Sequence, residues 1–172
     1  IGPCLVTISE GKSDELIREL TSHKIDLLLT NFLPTALESK SLFHRVITKK
    51  NVGFFASSKF KSLRKNFPQS ISGQPMIVPT YDSKLRYDLE HWSKANQINL
   101  NIIAESQDIA VNKLMAISGM GLIPAAYYAV NRQILAGELV ELGQLHGVYE
   151  ELLLVTADRR IENPIAAKLM KN

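Results

Sequence analysis

The sequence predicts an α/β fold, on three observations. Short apolar runs alternate with helical periodicities along most of the chain, caps and turn residues punctuate the junctions, and the run Ile25 to Leu29 is apolar apart from Asp26, as a strand covered on both faces is. The 172 residues are 45% hydrophobic and 22% charged, which excludes disorder and suffices for one domain or two small lobes, each with its own core. Twenty Lys and Arg against seventeen Asp and Glu leave a formal charge of +3, without the concentrated basic stripe that nucleic-acid binding requires. The single cysteine, Cys4, forms no intramolecular bridge, so a reducing, cytoplasmic setting is the expectation.

Leu5 to Ile8 reads as a first strand, Glu10-Gly11 as a turn, and Ser13 as the N-cap of a helix with Asp14 and Glu15 in its first turn. Leu16, Ile17 and Leu20 recur at helical spacing, and the strand Ile25 to Leu29 follows; β-α-β order predicts a right-handed crossover to a parallel neighbour. Val52 to Ala56 is a further apolar run. Lys59 to Phe67 mixes bases with Phe60, Leu63 and Phe67 before Pro68 and reads as a helix with a solvated basic face rather than a phosphate contact. Met76-Ile77-Val78 is a short strand ending at Pro79. Asp82 or Ser83 then caps a helix carrying Leu85, Leu89 and Trp92. Ile98, Leu100 and Ile102 alternate with Asn99 and Asn101, as in a half-buried strand. Asp108 caps a helix bearing Ile109, Leu114 and Ile117 that stops at Gly119. Gly121 to Ile123 is a strand, Ala126 to Leu135 a helix ending at Gly137, Leu139 to Leu142 a strand and Glu151 to Ala157 a longer one. Asn163-Pro164 opens a last helix with Ile165 and Leu169.

Tests for familiar chemistry fail on context. There is no Gly-x-Ser-x-Gly elbow, and His23, His44, His91 and His146 are scattered without zinc-like spacing, so neither a catalytic set nor a cofactor is expected. Gly119-x-Gly121-x-x-Pro124 follows a helix and precedes a strand, the reverse of a dinucleotide loop, and is a turn. The uncharged stretch Leu114 to Asn131 is broken by Gly119, Gly121 and Pro124 and is not a membrane span; no membrane contact is expected. Ile1-Gly2-Pro3-Cys4 shows no secretory signal. What remains is a set of polar loops where strands give way to helices: Thr30-Asn31-Phe32, Tyr81-Asp82-Ser83-Lys84 and Ser106-Gln107-Asp108. Unpaired amides at helix N-termini beside the carboxyl ends of strands favour an anion or polar ligand.

Glu10-Gly11 with Leu16, Leu20 and Ile25-Asp26-Leu27-Leu28-Leu29, Val111 through Gly119-Met120-Gly121-Leu122-Ile123-Pro124, and Arg160 to Pro164 together resemble the effector-binding domain of LysR-type transcriptional regulators. The resemblance spans nearly the whole chain. It implies a periplasmic-binding-protein-like (type II) domain of two lobes, each a mixed sheet with helices on both faces, joined by two crossing strands; residues 1–55 and 150–172 form one lobe and 56–149 the other. It implies a small-molecule or ion effector in the inter-lobe cleft, lined by Thr30 and Asn31 from one lobe and Tyr81, Asp82, Ser83, Lys84, Ser106, Gln107 and Asp108 from the other, with Pro124 at the floor. Thr30, Asp82 and Asp108 suit a hard cation, whereas the Ser83 and Lys84 amides suit a carboxylate.

The resemblance further implies a homodimer or tetramer using the helix Lys84 to Ala95, and DNA contact only through an amino-terminal winged helix-turn-helix that does not precede Ile1. The family's first strand and helix are likewise expected to be missing before Cys4. Leu42-Phe43, Val52-Gly53-Phe54-Phe55, Leu89-x-x-Trp92, Val148-Tyr149-Glu150-Glu151 and Ala157-Asp158-Arg159-Arg160-Ile161 with Pro164 are similar to the subgroup that activates sodium/proton antiporter genes in response to Na+, Li+ or alkaline stress. The alternative is a free-standing solute-binding protein of the periplasmic-binding type.

Overall fold

The protein is described by a computed structural model covering residues 4–33, 42–159 and 163–171. In chain order the elements are α1 (Ser13–Thr21), β1 (Leu28–Thr30), β2 (Leu42–Ala56), 3₁₀ turns at Ser58–Arg64 and Gln69–Ile71, β3 (Pro75–Val78), α2 (Lys84–Ala95), β4 (Asn101–Glu105), α3 (Ile109–Ile117), β5 (Ile123–Ala126), α4 (Tyr127–Leu135), β6 (Val140–Ala157) and α5 (Pro164–Lys171). They fall into two compact units, Ile1–Lys49 with Glu151–Asn172 and Lys50–Glu150. The long strands β2 and β6 are neighbours in one sheet of order β1-β6-β2-β5, and they carry the chain out of the first unit and back.

In the second unit, strand alternation divides the core between two sheet faces. Val52, Phe54 and Ala56 of β2 join Met76 and Val78 of β3 and pack with Leu89 and Trp92 of α2. The residues between them, Phe55 and Ile77, pack on the opposite side with Ala116 of α3 and Val130 of α4. Apolar runs without polar alternation are therefore what these strands require. Phe67, brought in after the 3₁₀ turn, stacks on Trp92 with ring centroids 6.1 Å apart. Leu89 is wholly buried in this layer, where truncation to Ala costs about 2–5 kcal/mol.

β3 and β4 are parallel, from Pro75↔Asn101 to Val78↔Glu105. On the other edge of β3, Leu122 forms a parallel bridge with Met76, and its N–H donates to the Pro75 carbonyl at 2.8 Å. Gly121 makes this approach possible: a Cβ there would stand 2.6 Å from the Pro75 oxygen. α3 ends as its glycine foretells, with Gly119 at φ +79.

In the first unit, Ile17 and Leu20 of α1 close over Leu28 of β1 and Leu153, Val155 and Ala157 of β6. β1 pairs with β6 antiparallel, Leu28↔Val155 to Thr30↔Leu153. The expected parallel crossover from Leu5–Ile8 is therefore corrected: that segment is in no helix or strand, with Leu5 96% and Ile8 85% exposed, and no strand pairs with it among the described residues. Without a partner its apolar residues have nothing to cover.

Other expectations shift for local reasons. Lys12, not Ser13, is the N-cap of α1. The expected doubly covered strand is shorter and one-sided, with Leu29 57% exposed. The helix expected over Lys59–Phe67 is a 3₁₀ turn over Ser58–Arg64, Ile98 is buried ahead of β4 rather than within it, and the strand expected at Gly121–Ile123 begins at Ile123. On α3, Asn112 and Ala116 are buried and Met115 and the expected Ile117 pack against the same core, while Ile109 and Leu114 stand exposed. The two strands expected around Leu139–Leu142 and Glu151–Ala157 are one continuous β6. A long strand tolerates glycine where another backbone or ring lies close, and Gly143 sits directly against the Phe67 ring. The junction at Arg160 and Ile161 and the start at Ile1 to Pro3 lie outside the described residues.

Candidate functional site

The second unit builds a polar site where β3 and β4 end. Parallel strands deliver their following helices to the same edge, so the loops Pro79–Ser83 and Ser106–Asp108 are side by side. The Ser106 N–H donates to the Val78 carbonyl at 3.1 Å. Gln107 Nε2 donates to Asp82 Oδ2 at 2.9 Å, and Thr80 Oγ1 donates to Asp82 Oδ1 at 2.5 Å. Asp82 is thus the hub that ties the two loops together.

The two helix N-termini at this edge differ. Asp108 caps α3, its Oδ1 accepting from Ala110 N at 2.7 Å, while its own N–H donates to Ser106 Oγ at 3.0 Å. Ser83 is the N-cap of the twelve-residue α2, yet its side chain makes no capping bond. The Ser83 side chain thus gives α2 no cap of the kind Asp108 gives α3, and the helix dipole makes that end attractive to negative charge. Lys84 pairs with Asp88 one turn on.

Beneath the loop lies Arg86, 1% exposed. Its Nη1 donates to the Pro79 carbonyl at 3.0 Å and to Glu105 Oε1 at 2.8 Å, its Nε donates to Glu90 Oε1 at 2.7 Å, and Tyr81 covers its guanidinium at 4.0 Å from the ring centroid. Burial alone lowers the affinity of Arg86 for its proton, but the hydrogen bonds and charges of Glu105 and Glu90 outweigh it and hold the pKa above the ordinary value. A fixed cation neutralised by two carboxylates anchors the start of α2 to the end of β4. Asn112, 4% exposed, donates from Nδ2 to the Ser106 carbonyl at 3.4 Å and has a buried Oδ1 with no partner.

Of the residues expected at the site, Tyr81, Asp82, Ser83, Lys84, Ser106, Gln107 and Asp108 share this edge. Pro124 is buried inside β5, opposite Phe54, at a position where its missing N–H costs little. Thr30 and Asn31 belong to the first unit, where Thr30 Oγ1 donates to the Phe32 carbonyl at 2.9 Å and accepts from Phe32 N at 3.3 Å. Sequence reasoning missed Arg86, Glu105 and Thr80. The i, i+4 pair Arg86–Glu90 was a visible signal; Glu105, nineteen positions from Arg86, was not. Among the described residues no group of three or more His, Cys, Asp or Glu is placed to hold a metal ion.

Two α/β units threaded by two long shared strands, with polar loops at the carboxyl ends of parallel strands, are the type II periplasmic-binding-protein-like arrangement. The chain belongs to the LysR substrate-binding domain family, whose model matches residues 4–171. It is thus an effector-binding domain of the LysR regulator type, which favours the regulatory reading over a free-standing solute-binding protein. Its similarity reaches the transcriptional activator protein NhaR of Escherichia coli (strain K12) and of Shigella flexneri, each 22% identical over 160 residues, covering 93% of this chain and 52% of the relative. The chain spans about half the length of these curated relatives. Among solved structures, the apo regulatory domain of HypT from Salmonella typhimurium superposes with a TM-score of 0.78 at 11% identity, over 96% of this chain and 78% of that one. Vibrio fischeri DarR in complex with DNA superposes at 0.76 and 17% identity, over 97% and 56%. At these identities the likeness is one of fold. No helix among the described residues is long and apolar enough to cross a membrane.

Proposed function

We propose that this chain is the effector-sensing part of a transcriptional activator and that its effector is held at the β3/β4 edge of the second unit by Tyr81, Asp82, Ser83, Lys84, Ser106, Gln107 and Asp108. Thr30 and Asn31 stand in the first unit and Pro124 in β5 of the second. The observation that carries the reading is the uncapped N-terminus of α2 beside a loop pair already braced by Asp82 and Gln107. Both carboxylates of the edge are engaged, Asp82 by Thr80 and Gln107 and Asp108 by Ala110, whereas the Ser83 side chain gives the start of α2 no capping bond. The effector class this favours is a small molecule with an anionic or acceptor group, rather than a bare cation.

Similarity over 93% of the chain to the transcriptional activator protein NhaR supports an activator; the resemblance of Leu42-Phe43 and Val148-Tyr149-Glu150-Glu151 to the antiporter-activating subgroup supports antiporter genes as the regulated class, and DNA bound through a separate winged helix-turn-helix, homo-oligomeric assembly and action in the cytoplasm belong to the same reading. Effector binding shifts the balance between arrangements of the domain, and the attached DNA-binding parts follow. Thermal shift against Na+, Li+ and a panel of small organic anions tests the site. Proline is tolerated at a first helical position, so Lys84→Pro removes one α2 amide without breaking the helix, and Lys84→Ala controls for the side chain. An anion that raises Tm, and whose Kd worsens tenfold or more in Lys84→Pro but not in Lys84→Ala, supports the reading. A response to Na+ or Li+ alone, unaltered in both variants, counts against it.

A further inference from the structure

The strand order of the second unit marks a crevice beside the polar loops. β3 is flanked by β4 on one side and, through the Met76–Leu122 bridge, by the start of β5 on the other; β5 in turn pairs with β2, the neighbour of β6. From β3 the chain passes through α2 to β4, and from β5 through α4 to β6, so the two connections leave in opposite directions. They also leave to opposite faces: Leu89 and Trp92 of α2 pack on one, Val130 of α4 on the other. Adjacent strands whose connections diverge form a topological switch point, and open α/β sheets hold ligands outside the carboxyl ends of such strands. Here that place lies between the loop after β3, which carries Tyr81, and Tyr127 at the start of α4.

Tyr81 is prepared for a ligand in a way its sequence position does not reveal. It is 73% exposed, yet the Arg86 guanidinium lies over its ring at 4.0 Å from the centroid. Arg86 is itself locked by Glu105, Glu90 and the Pro79 carbonyl. The ring is therefore held by a fixed cation on one face and left to solvent on the other. A cation on one face draws π density toward itself, which makes the outer face a better partner for an electron-rich ring. Holding the side chain in place beforehand also removes the ordering cost that a free surface tyrosine would meet on binding.

We propose that Tyr81 is a specificity-determining residue of the effector site, its outer face stacking on a planar ring of the effector at the β3/β5 crevice. The inference rests on the effector being held at this end of the second unit, and it narrows the class from small anions in general to aromatic ones.

Benzoate, cyclohexanecarboxylate and benzamide, titrated by calorimetry into the parent chain and into Tyr81→Phe, Tyr81→Leu and Lys84→Pro, test it. Benzoate is expected to bind about fivefold more tightly than cyclohexanecarboxylate, which carries the same charge on a puckered ring. Tyr81→Phe keeps that ratio. Tyr81→Leu brings it to unity and abolishes the upfield ring-current shifts of the benzoate protons seen by NMR. Tyr81 is exposed, so both variants are expected to keep the circular dichroism of the parent. Equal binding of the two carboxylates, a ratio unaltered in Tyr81→Leu, or no binding of either benzene compound would overturn the proposal. Its failure is distinct from failure of the anion reading: carboxylates that bind equally and are both weakened in Lys84→Pro leave the anion site without the stack. Benzamide that matches benzoate, with both weakened in Tyr81→Leu, keeps the stack and removes the anion.

Discussion

Tyr128 shows how a single residue ties the behaviour of the second unit to pH. Burial first, then the charge of Glu150 and a hydrogen bond to it, push the Tyr128 hydroxyl from its ordinary 10.0 up to about 12. The folded state holds this proton more tightly than the unfolded chain, so the stabilisation is complete below pH 10.0 and is lost as pH rises through about 12. Tyr128 is 40% exposed, and solvent screens the effect. Tyr128→Phe is expected to flatten the fall in stability across this window in urea titrations at graded pH, and a tyrosinate absorbance titration of the parent should show one hydroxyl ionising late. Arg86 is the opposite case, a buried charge whose partners come from its own helix and from the end of β4. The pair with Glu90 at i, i+4 was visible in the sequence. The bond to Glu105 was not, because it depends on β3 and β4 being parallel neighbours.

Elements were legible where their ends carry chemistry. Asp108 before α3 and Asn163 before α5 both cap as their residue types foretell, Asn163 Oδ1 accepting from Ile165 N at 2.9 Å. Asp108→Ala and Asn163→Ala are each expected to cost about 1 kcal/mol, read as a lower denaturation midpoint with an unchanged m-value. Ser83 is the informative exception: the right residue in the right place, without the capping bond, at the helix end proposed to meet the effector. Elements were misread where local pattern stood in for a partner. Leu5–Ile8 is a short run of strand-forming residues, but strand identity needs a neighbour to accept its hydrogen bonds. β6 was read as two strands although it is continuous and neighbours β2 in the sheet, and of the apolar residues read on α3, Ile117 packs on the core while Ile109 and Leu114 do not.

At the scale of the molecule, two units with separate cores share the long strands β2 and β6. Stability should follow that division. In amide hydrogen exchange, Phe54 and Met76, buried inside the second unit's sheet, are expected among the slowest amides, and Val6 to Ile8 among the fastest; comparable protection in both segments would contradict the pairing described for the first unit. The sequence by itself determined the α/β class, most helices and their caps, the absence of familiar catalytic motifs, and the family, because periodicity, capping and turn chemistry are local and survive in a linear reading. Tertiary structure decided that β1 runs antiparallel to β6, that Gln107 reaches Asp82, that Arg86 is held by Glu105, and that β3 and β5 are neighbours whose connections diverge. Each of these joins residues distant along the chain, or depends on how side chains fill space between elements, and neither relation is written in any local window of the sequence.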